Sequence, residues 1–327
     1  MRIWSSEIRL VIVFRPSNTA VVKPYLSLNM IFFISFLLLV KWRIRIKNKV
    51  SNFKIIVDMD ASFDCYYYFC YCRILKLVIM SRFTYISPNL YISNSPLFGN
   101  YDKEVIYYLL RSIDINFSTA LNIPPFSTCN CMIEYKDNHP MCSIVADNHF
   151  IFLHVTDNYW SKWIYQFAHE YCHHLINGKM SGEIRGLMWF EETICELSSM
   201  YHLQMAATQW SCCNLIVCRH FAPAHQDYLN DLLSQQPQLV RDTHYRGFLH
   251  LWLQILKQPV HHRDYYNALA ARMFPLFVEN PHLWKIILHF GDMRQWNCLK
   301  DLFVHLHQTA DDSYSDSLKR LENLLFS

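Results

Sequence analysis

The stretch FAHEYCHHLING, residues 167–178, decides how this chain folds and what chemistry it can carry. It contains His169, Glu170 and His173 in the order His-Glu-x-x-His, followed directly by His174. Side chains four positions apart on an α-helix lie on the same face, one turn apart. His169 and His173 can therefore reach a common point, with Glu170 beside them. His174 is turned by about 100° from His173, so we expect it in the core or behind the site and not among metal ligands.

The residues around this stretch predict a helix over residues 159–176. Asp157 and Asn158, with Thr156, suit its N-cap, and Asn177-Gly178 suits its C-cap. The predicted helix has one apolar face, made of Trp160, Trp163, Ile164, Phe167, Ala168, Tyr171, Cys172 and Leu175. We expect this face to pack into a core and the two histidines to lie roughly opposite its centre.

Two imidazoles one turn apart can occupy adjacent corners of a tetrahedral zinc site. A carboxylate next to them, here Glu170, can take a proton from water that the metal activates. The motif alone is only moderately specific, because this chain contains 17 histidines. A zinc site also needs a third protein ligand. The stretch GLMWFEETICELSSMY, residues 186–201, predicts a second helix over residues 188–206. Glu192 and Glu196 share one face of it, opposite an apolar face made of Phe190, Ile194, Leu197, Tyr201 and Met205.

Eighteen residues separate His173 from Glu192. This spacing resembles that of the gluzincin superfamily of zinc metallopeptidases, in which His-Glu-x-x-His is followed by a glutamate on a second helix. The segment WFEETICE is similar to the segment that carries this glutamate in several of those families. The resemblance implies that His169, His173 and Glu192 are ligands of Zn²⁺ and that Glu170 is the general base.

The same resemblance assigns roles to two neighbouring glutamates. Glu196 falls where such families often carry an acidic residue that hydrogen-bonds a ligating histidine and fixes its tautomer. Glu191 is the rival third ligand, but it points about 100° away from the face shared by Glu192 and Glu196. We therefore expect Glu192 to be the ligand.

The resemblance also implies that a strand within residues 149–155 forms the edge of the cleft and pairs with an extended substrate backbone. An ordinary buried strand would explain this run of residues equally well. The sequence departs from the family at Thr193, where many relatives have glycine. No residue stands out as the donor that stabilises a tetrahedral oxyanion, and the candidates are Tyr201, His202, His244 and Tyr245.

The rest of the chain predicts an α+β, predominantly helical protein of zincin-like fold. Three short extended runs, residues 131–135, 141–145 and 149–155, predict a small antiparallel sheet directly before the active-site helix. Residues 87–102 are predicted to be a loop. Further helices are predicted over residues 102–120, 225–233, 244–256, 263–277, 281–290, 294–307 and 313–325.

Composition excludes several classes of partner and structure. An apolar content of 52% fits a globular protein, and a net charge of +3 without a basic arm argues against nucleic acid as a partner. The twelve cysteines are spread over a large chain without the paired spacing of a structural zinc site, which predicts reduced thiols.

Residues 1–79 differ from the rest of the chain and leave two interpretations open. Residues 26–40 form an apolar segment that is short for a membrane span, and basic residues follow it. If the segment inserts, those charges place the catalytic part in the cytoplasm. Alternatively, residues 1–79 lie upstream of a true initiator at Met80. We expect a zincin-like catalytic core over residues 80–206 and a helical region over residues 207–327.

Three functions follow as hypotheses. The first is a cytoplasmic zinc metallopeptidase acting on peptides or proteins, with membrane association only through residues 26–40. The second is a catalytically inactive metal-binding protein of zincin fold that acts as a sensor or interaction module. The third is a protein without metal, in which the histidines lie on an ordinary helix face.

Overall fold

A computed structural model describes three strands in the first 79 residues and most of the chain beyond them. The described ranges of the latter part are residues 82–123, 130–145, 148–177, 187–234, 262–295 and 298–326. Contacts divide the chain into two compact units, Met1–Ile79 and Met80–Ser327. The apolar segment 26–40 lies outside the described residues. Among the helices of the described ranges, none is both long and apolar enough to span a bilayer.

The first unit contains a three-stranded sheet made of β1 (Val11–Val13), β2 (Ile44–Lys49) and β3 (Asn52–Val57). β3 lies in the middle, parallel to β1 and antiparallel to β2.

The second unit is mainly helical with one five-stranded sheet. Its strands are β4 (Phe83–Ser87), β5 (Leu90–Ser93), β6 (Asn130–Tyr135), β7 (Met141–Val145) and β8 (Asn148–Leu153). Its helices are α1 (Lys103–Leu121), α2 (Trp160–Asn177), α3 (Met188–Ser211), α4 (Ile216–Ser234), α5 (Arg263–Glu279), α6 (Leu299–Thr309) and α7 (Ser315–Phe326). Two 3₁₀ helices cover Pro96–Phe98 and Pro281–Gln295.

The sheet is mixed, so the predicted antiparallel arrangement of its strands is wrong. The strand order is β4-β5-β6-β8-β7, in which β6 is parallel to both β5 and β8. Only the pairs β4-β5 and β7-β8 are antiparallel within this sheet. The sequence places β6, β7 and β8 in order but does not reveal that β7 turns away from β6 and lies outside β8.

Two strands of the sheet, β4 and β5, were not predicted. β5 lies inside residues 87–102, which are predicted as a loop, and Pro88-Asn89 is the two-residue turn between the strands. Asn89 adopts a left-handed backbone conformation with φ 62°, as is usual for the residue that follows proline in a type II turn. The turn residues on both sides of the short strand conceal its apolar pattern, LYIS.

The strand before α2 is interior to the sheet. Every residue of β8 pairs with β6, and residues 148–152 also pair with β7. The expectation that a strand within residues 149–155 pairs with a substrate backbone is therefore wrong, and the alternative of an ordinary buried strand is confirmed. β7 is the edge strand on this side. Inward-facing His149, Ile151 and Leu153 are buried, and α2 packs against β7 and β8.

Polar contacts position the start and the middle of α2. The carboxylate of Asp114, on α1, accepts hydrogen bonds from Ser87 Oγ (2.5 Å) and Tyr171 OH (2.8 Å). Asp157 Oδ1 accepts from Asn100 N (2.8 Å), tying the loop before α1 to the start of α2. Gly99 is required there, since its φ is +74° and a Cβ would lie 2.4 Å from Asp157 Oδ1.

The predicted helices differ from the observed ones mainly at their ends. α3 continues to Ser211 and α4 begins at Ile216, while residues 281–295 form a 3₁₀ helix. The helix predicted over residues 244–256 lies outside the described residues. α3 packs against α2, α4 and α5, which makes it the central helix of this unit.

Candidate metal centre

The site is built between α2 and α3, which hydroxyl groups hold in register. Ser198 Oγ donates to the carbonyl of Ala168 (2.8 Å) and Ser199 Oγ donates to the carbonyl of Tyr165 (2.8 Å). Small side chains at this contact allow the two backbones to approach closely. The histidines of α2 consequently face the glutamates of α3.

α3 is buried on nearly all sides, which corrects the expectation of one apolar and one polar face. Glu191 and Glu196 are buried together with the predicted apolar face of Phe190, Ile194 and Leu197. All eight residues of the apolar face predicted for α2 are buried, but most other residues of this helix are buried as well, so α2 is likewise enclosed on nearly all sides. The carboxylates of Glu191 and Glu196 lie in the interior and need hydrogen-bonding or charged partners.

The side chains of His169, His173 and Glu192 converge. His169 Nε2 lies 3.4 Å from Glu192 Oε2, and His173 Nε2 lies 3.5 Å from Glu192 Oε1. One potential ligand atom from each residue lies within 4.8 Å of the others, and this is the one group of three such residues found among the described ranges. Bonds of about 2.0–2.1 Å to a tetrahedral zinc ion place neighbouring ligand atoms about 3.3–3.4 Å apart. The two distances are close to that spacing, each to a different carboxylate oxygen of Glu192.

Glu191 contacts Nδ1 of His173, the ring nitrogen that does not face Glu192. His173 Nδ1 and Glu191 Oε1 lie 2.6 Å apart. A carboxylate at Nδ1 holds the proton on that nitrogen and leaves Nε2 available as a ligand. Glu191 therefore lies outside the three-residue cluster, and the sequence alone did not suggest that it orients His173.

Glu196 faces Nδ1 of His169, the ring nitrogen that does not face Glu192, and has two further partners. Its Oε1 lies 3.7 Å from His169 Nδ1. Arg263 Nε donates to the same oxygen at 2.9 Å, while Tyr165 OH donates to Oε2. Arg263 is the first residue of α5, and no sequence pattern links it to the motif, which ends 90 positions earlier at His173.

The pKa directions in the cluster follow from a balance between burial and close opposite charges. Burial favours the neutral form of Glu192, but hydrogen bonds from His169 and His173 lower its pKa far below the usual value. Burial likewise opposes a proton on His173, yet Glu191 and Glu192 raise its pKa well above normal. The close contacts thus favour the ionised form of Glu192 and the protonated forms of the two imidazoles, and a bound cation would take the place of those protons.

Glu170 has a different environment from the other glutamates. Its side chain is almost completely buried. Burial raises its pKa, although the nearby His169 and His173 act in the opposite direction. A carboxyl group with a raised pKa next to a metal position is suited to accept and release a proton near neutral pH.

The remaining candidate residues lie away from the cluster. His174 is fully buried, with its Nδ1 2.8 Å from His149 Nδ1 on β8. Tyr201 and His202 pack against the ring of Trp284 in the core. His244 and Tyr245 lie outside the described residues. Tyr266, on α5, was not predicted as a site residue. Burial raises the pKa of its hydroxyl group, and the nearby carboxylate of Glu192 acts in the same direction.

The arrangement can hold one divalent cation through two imidazole nitrogens and one carboxylate, with a buried carboxyl group alongside. Comparison of the chain with protein-family models, curated proteins and solved structures finds no match.

Proposed function

We propose that this chain is a zinc-dependent metallopeptidase of gluzincin type with a zincin-like fold. The observation that carries the proposal is the convergence of His169, His173 and Glu192 beside the buried carboxyl group of Glu170. The eighteen-residue spacing between His173 and Glu192 is the sequence feature that supports it.

The residues present fit a zinc ion. Two imidazoles and one carboxylate form a common ligand set of catalytic zinc sites, which leave the fourth position for water or substrate. Glu191 and Glu196 lie on the Nδ1 sides of the two histidines. Glu192 is 24% exposed, more than its two histidine partners at 11% and 13%, so the cluster is accessible from the side of the carboxylate.

Glu170 would perform the proton transfers. When bound, zinc would polarise the scissile carbonyl and lower the pKa of water. Glu170 would take the proton from the attacking water and pass it to the nitrogen of the departing amine. The neighbouring histidines remain oriented by the carboxylates at their Nδ1 atoms during both transfers.

We also propose that an extended peptide substrate pairs with β7. This strand ends the five-stranded sheet and packs against α2, the helix that carries the motif. Its outer edge offers backbone groups that no strand of the described sheet uses, as strand addition requires. The interior position of β8 removes that strand from consideration.

Replacing the proposed base tests the function. We expect Glu170→Gln to bind zinc like the wild type while peptide hydrolysis falls by at least about a hundredfold, the lower end of the effect of a general base. The measurement is cleavage of a broad peptide library by zinc-loaded full-length protein. Glu104→Gln, at an exposed position on α1, is the matched control and should cleave normally.

Two outcomes would contradict the proposal. Hydrolysis that persists in Glu170→Gln at the wild-type rate would exclude the proposed mechanism. Zinc-loaded wild-type protein that cleaves no member of the library would favour the inactive zincin-fold module instead.

A further inference from the structure

We propose that Arg263 is a positioning residue for the metal centre, through which α5 controls the affinity for the metal. Together with Tyr165 it holds Glu196 against His169. This inference rests on the proposed metal site, and it gives a role to a helix from the C-terminal region that the motif does not include.

The two histidines of the cluster are supported unequally. His173 Nδ1 has a short contact of 2.6 Å with Glu191. His169 Nδ1 is buried and has no hydrogen-bond partner within the described ranges. The carboxylate that faces it, Glu196 Oε1, lies 3.7 Å away, which is longer than a hydrogen bond. The orientation of His169 therefore depends on where Glu196 is held.

Glu196 is held at both of its oxygen atoms. Its side chain is 2% exposed, so its charge needs partners in the interior. Tyr165 OH donates to Oε2, and Arg263 Nε donates to Oε1 at 2.9 Å. Arg263 Nη2 also donates to Tyr165 OH at 3.2 Å. One guanidinium group thus fixes both the carboxylate and its second donor.

The location of Arg263 is unfavourable for its own helix. It is the first residue of α5, and the partial positive charge at a helix N-terminus opposes a cation there. The position is explained by the contact with Glu196 and not by helix stability. A lysine could keep the charge, but its ammonium group cannot reproduce the two fixed donors of a guanidinium group.

Tyr165 completes the arrangement from the helix of the motif. It lies four residues before His169 on α2, so both side chains face α3 one turn apart. Tyr165, Glu196 and Arg263 therefore connect α2, α3 and α5 at the outer side of His169. A shift of α5 would move Glu196 and, with it, the imidazole that presents Nε2 to the metal.

The test measures the affinity of the full-length protein for Zn²⁺ by competition with a chromogenic chelator. Loss of a carboxylate partner behind a ligand weakens metal binding by about 10–100-fold, and we expect Arg263→Ala to reach about tenfold. Arg263→Lys should remain several-fold weaker than wild type. Arg320→Ala is the matched control, because Arg320 forms an ion pair with Glu279 at the other end of α5 and is 57% exposed, against 60% for Arg263. We expect it to bind zinc like the wild type.

A double substitution separates positioning from a general loss of structure. If Arg263 acts through Glu196, Arg263→Ala combined with Glu196→Gln should bind zinc no more weakly than Glu196→Gln alone. Losses that simply add would overturn the inference. Tyr165→Phe keeps the aromatic ring, removes the donor to Glu196 and should also weaken zinc binding, which keeps the test valid should Arg263→Ala fail to fold.

The outcomes also separate this inference from the proposed function. Wild-type affinity in both Arg263→Ala and Tyr165→Phe would overturn the positioning role while leaving the metal site intact. A wild-type protein that does not bind Zn²⁺ would overturn both.

Discussion

Two groups of buried histidines in this molecule have opposite properties. His169 and His173 lie between α2 and α3 among carboxylates, and the pKa of each is raised although burial alone would lower it. His202 and His225 lie among aromatic rings of the core, and burial lowers the pKa of each to about 4. Burial acts to lower the pKa in both groups, so the carboxylate partners account for the opposite direction at His169 and His173.

Neighbours in the sequence can belong to different groups. His173 contacts Glu191 and Glu192, whereas burial and the nearby His149 lower the pKa of His174 to about 3. One step along the helix turns the side chain by about 100° and moves it from the site into the core. The comparison shows that the count of histidines in FAHEYCHHLING says less about metal binding than the position of the glutamates on α3.

The largest expected effect is on the affinity for Zn²⁺, and it distinguishes His173 from His174. Zinc sites in proteins bind with about 10–16 kcal/mol, so we expect loss of a ligand in His173→Asn to weaken Zn²⁺ binding by more than about a hundredfold. His174→Asn, which keeps a polar group near His149, should change the affinity by less than about tenfold. Chelator competition with both full-length variants measures the difference. Equal losses in the two variants would remove the distinction between site and core.

A smaller effect is expected on folding stability, which the core histidine His202 should lower as the pH falls. His202 is fully buried, and burial lowers its pKa from the usual 6.5 to about 4 in the folded protein. Below pH 6.5 the unfolded chain therefore binds a proton at this residue that the folded chain does not bind, and folding stability decreases as the pH falls towards 4. The difference between the two pKa values corresponds to about 2–3 kcal/mol at pH 4.

The variant His202→Asn isolates this contribution. At pH 7 the wild type should be the more stable protein, because His202 packs against Phe117 at a ring distance of 4.6 Å. That advantage should shrink between pH 6.5 and pH 4 in denaturant unfolding. Phe117→Leu alters the same contact but keeps His202. The stability difference between the wild type and this variant should therefore stay constant over the same pH range. A constant difference between wild type and His202→Asn would contradict the assigned pKa.

The sequence predicts the parts of the fold and site that depend on local periodicity. The spacing of His169 and His173 places both on one face of α2, and the apolar residues predicted to pack into the core are buried. The resemblance to gluzincins leads to Glu192, which the structure places in the cluster. These features follow from helix geometry within two short segments.

Features that depend on distant parts of the chain were not predicted. The role of Glu191 requires the rotation of α3 against α2, which the contacts of Ser198 and Ser199 fix. Arg263 reaches the site only because α5 packs against α3. The position of β7 outside β8 is likewise a matter of topology, and the short pattern MCSIV does not encode it.

The most direct test of the metal site is the metal content of the purified full-length protein, compared with that of Glu192→Ala and Glu191→Ala. We predict one zinc per wild-type chain, loss of the metal in Glu192→Ala, and retention in Glu191→Ala with an affinity reduced about 10–100-fold. Absence of zinc from the wild type, iron in its place, or full retention of zinc in Glu192→Ala would contradict the account.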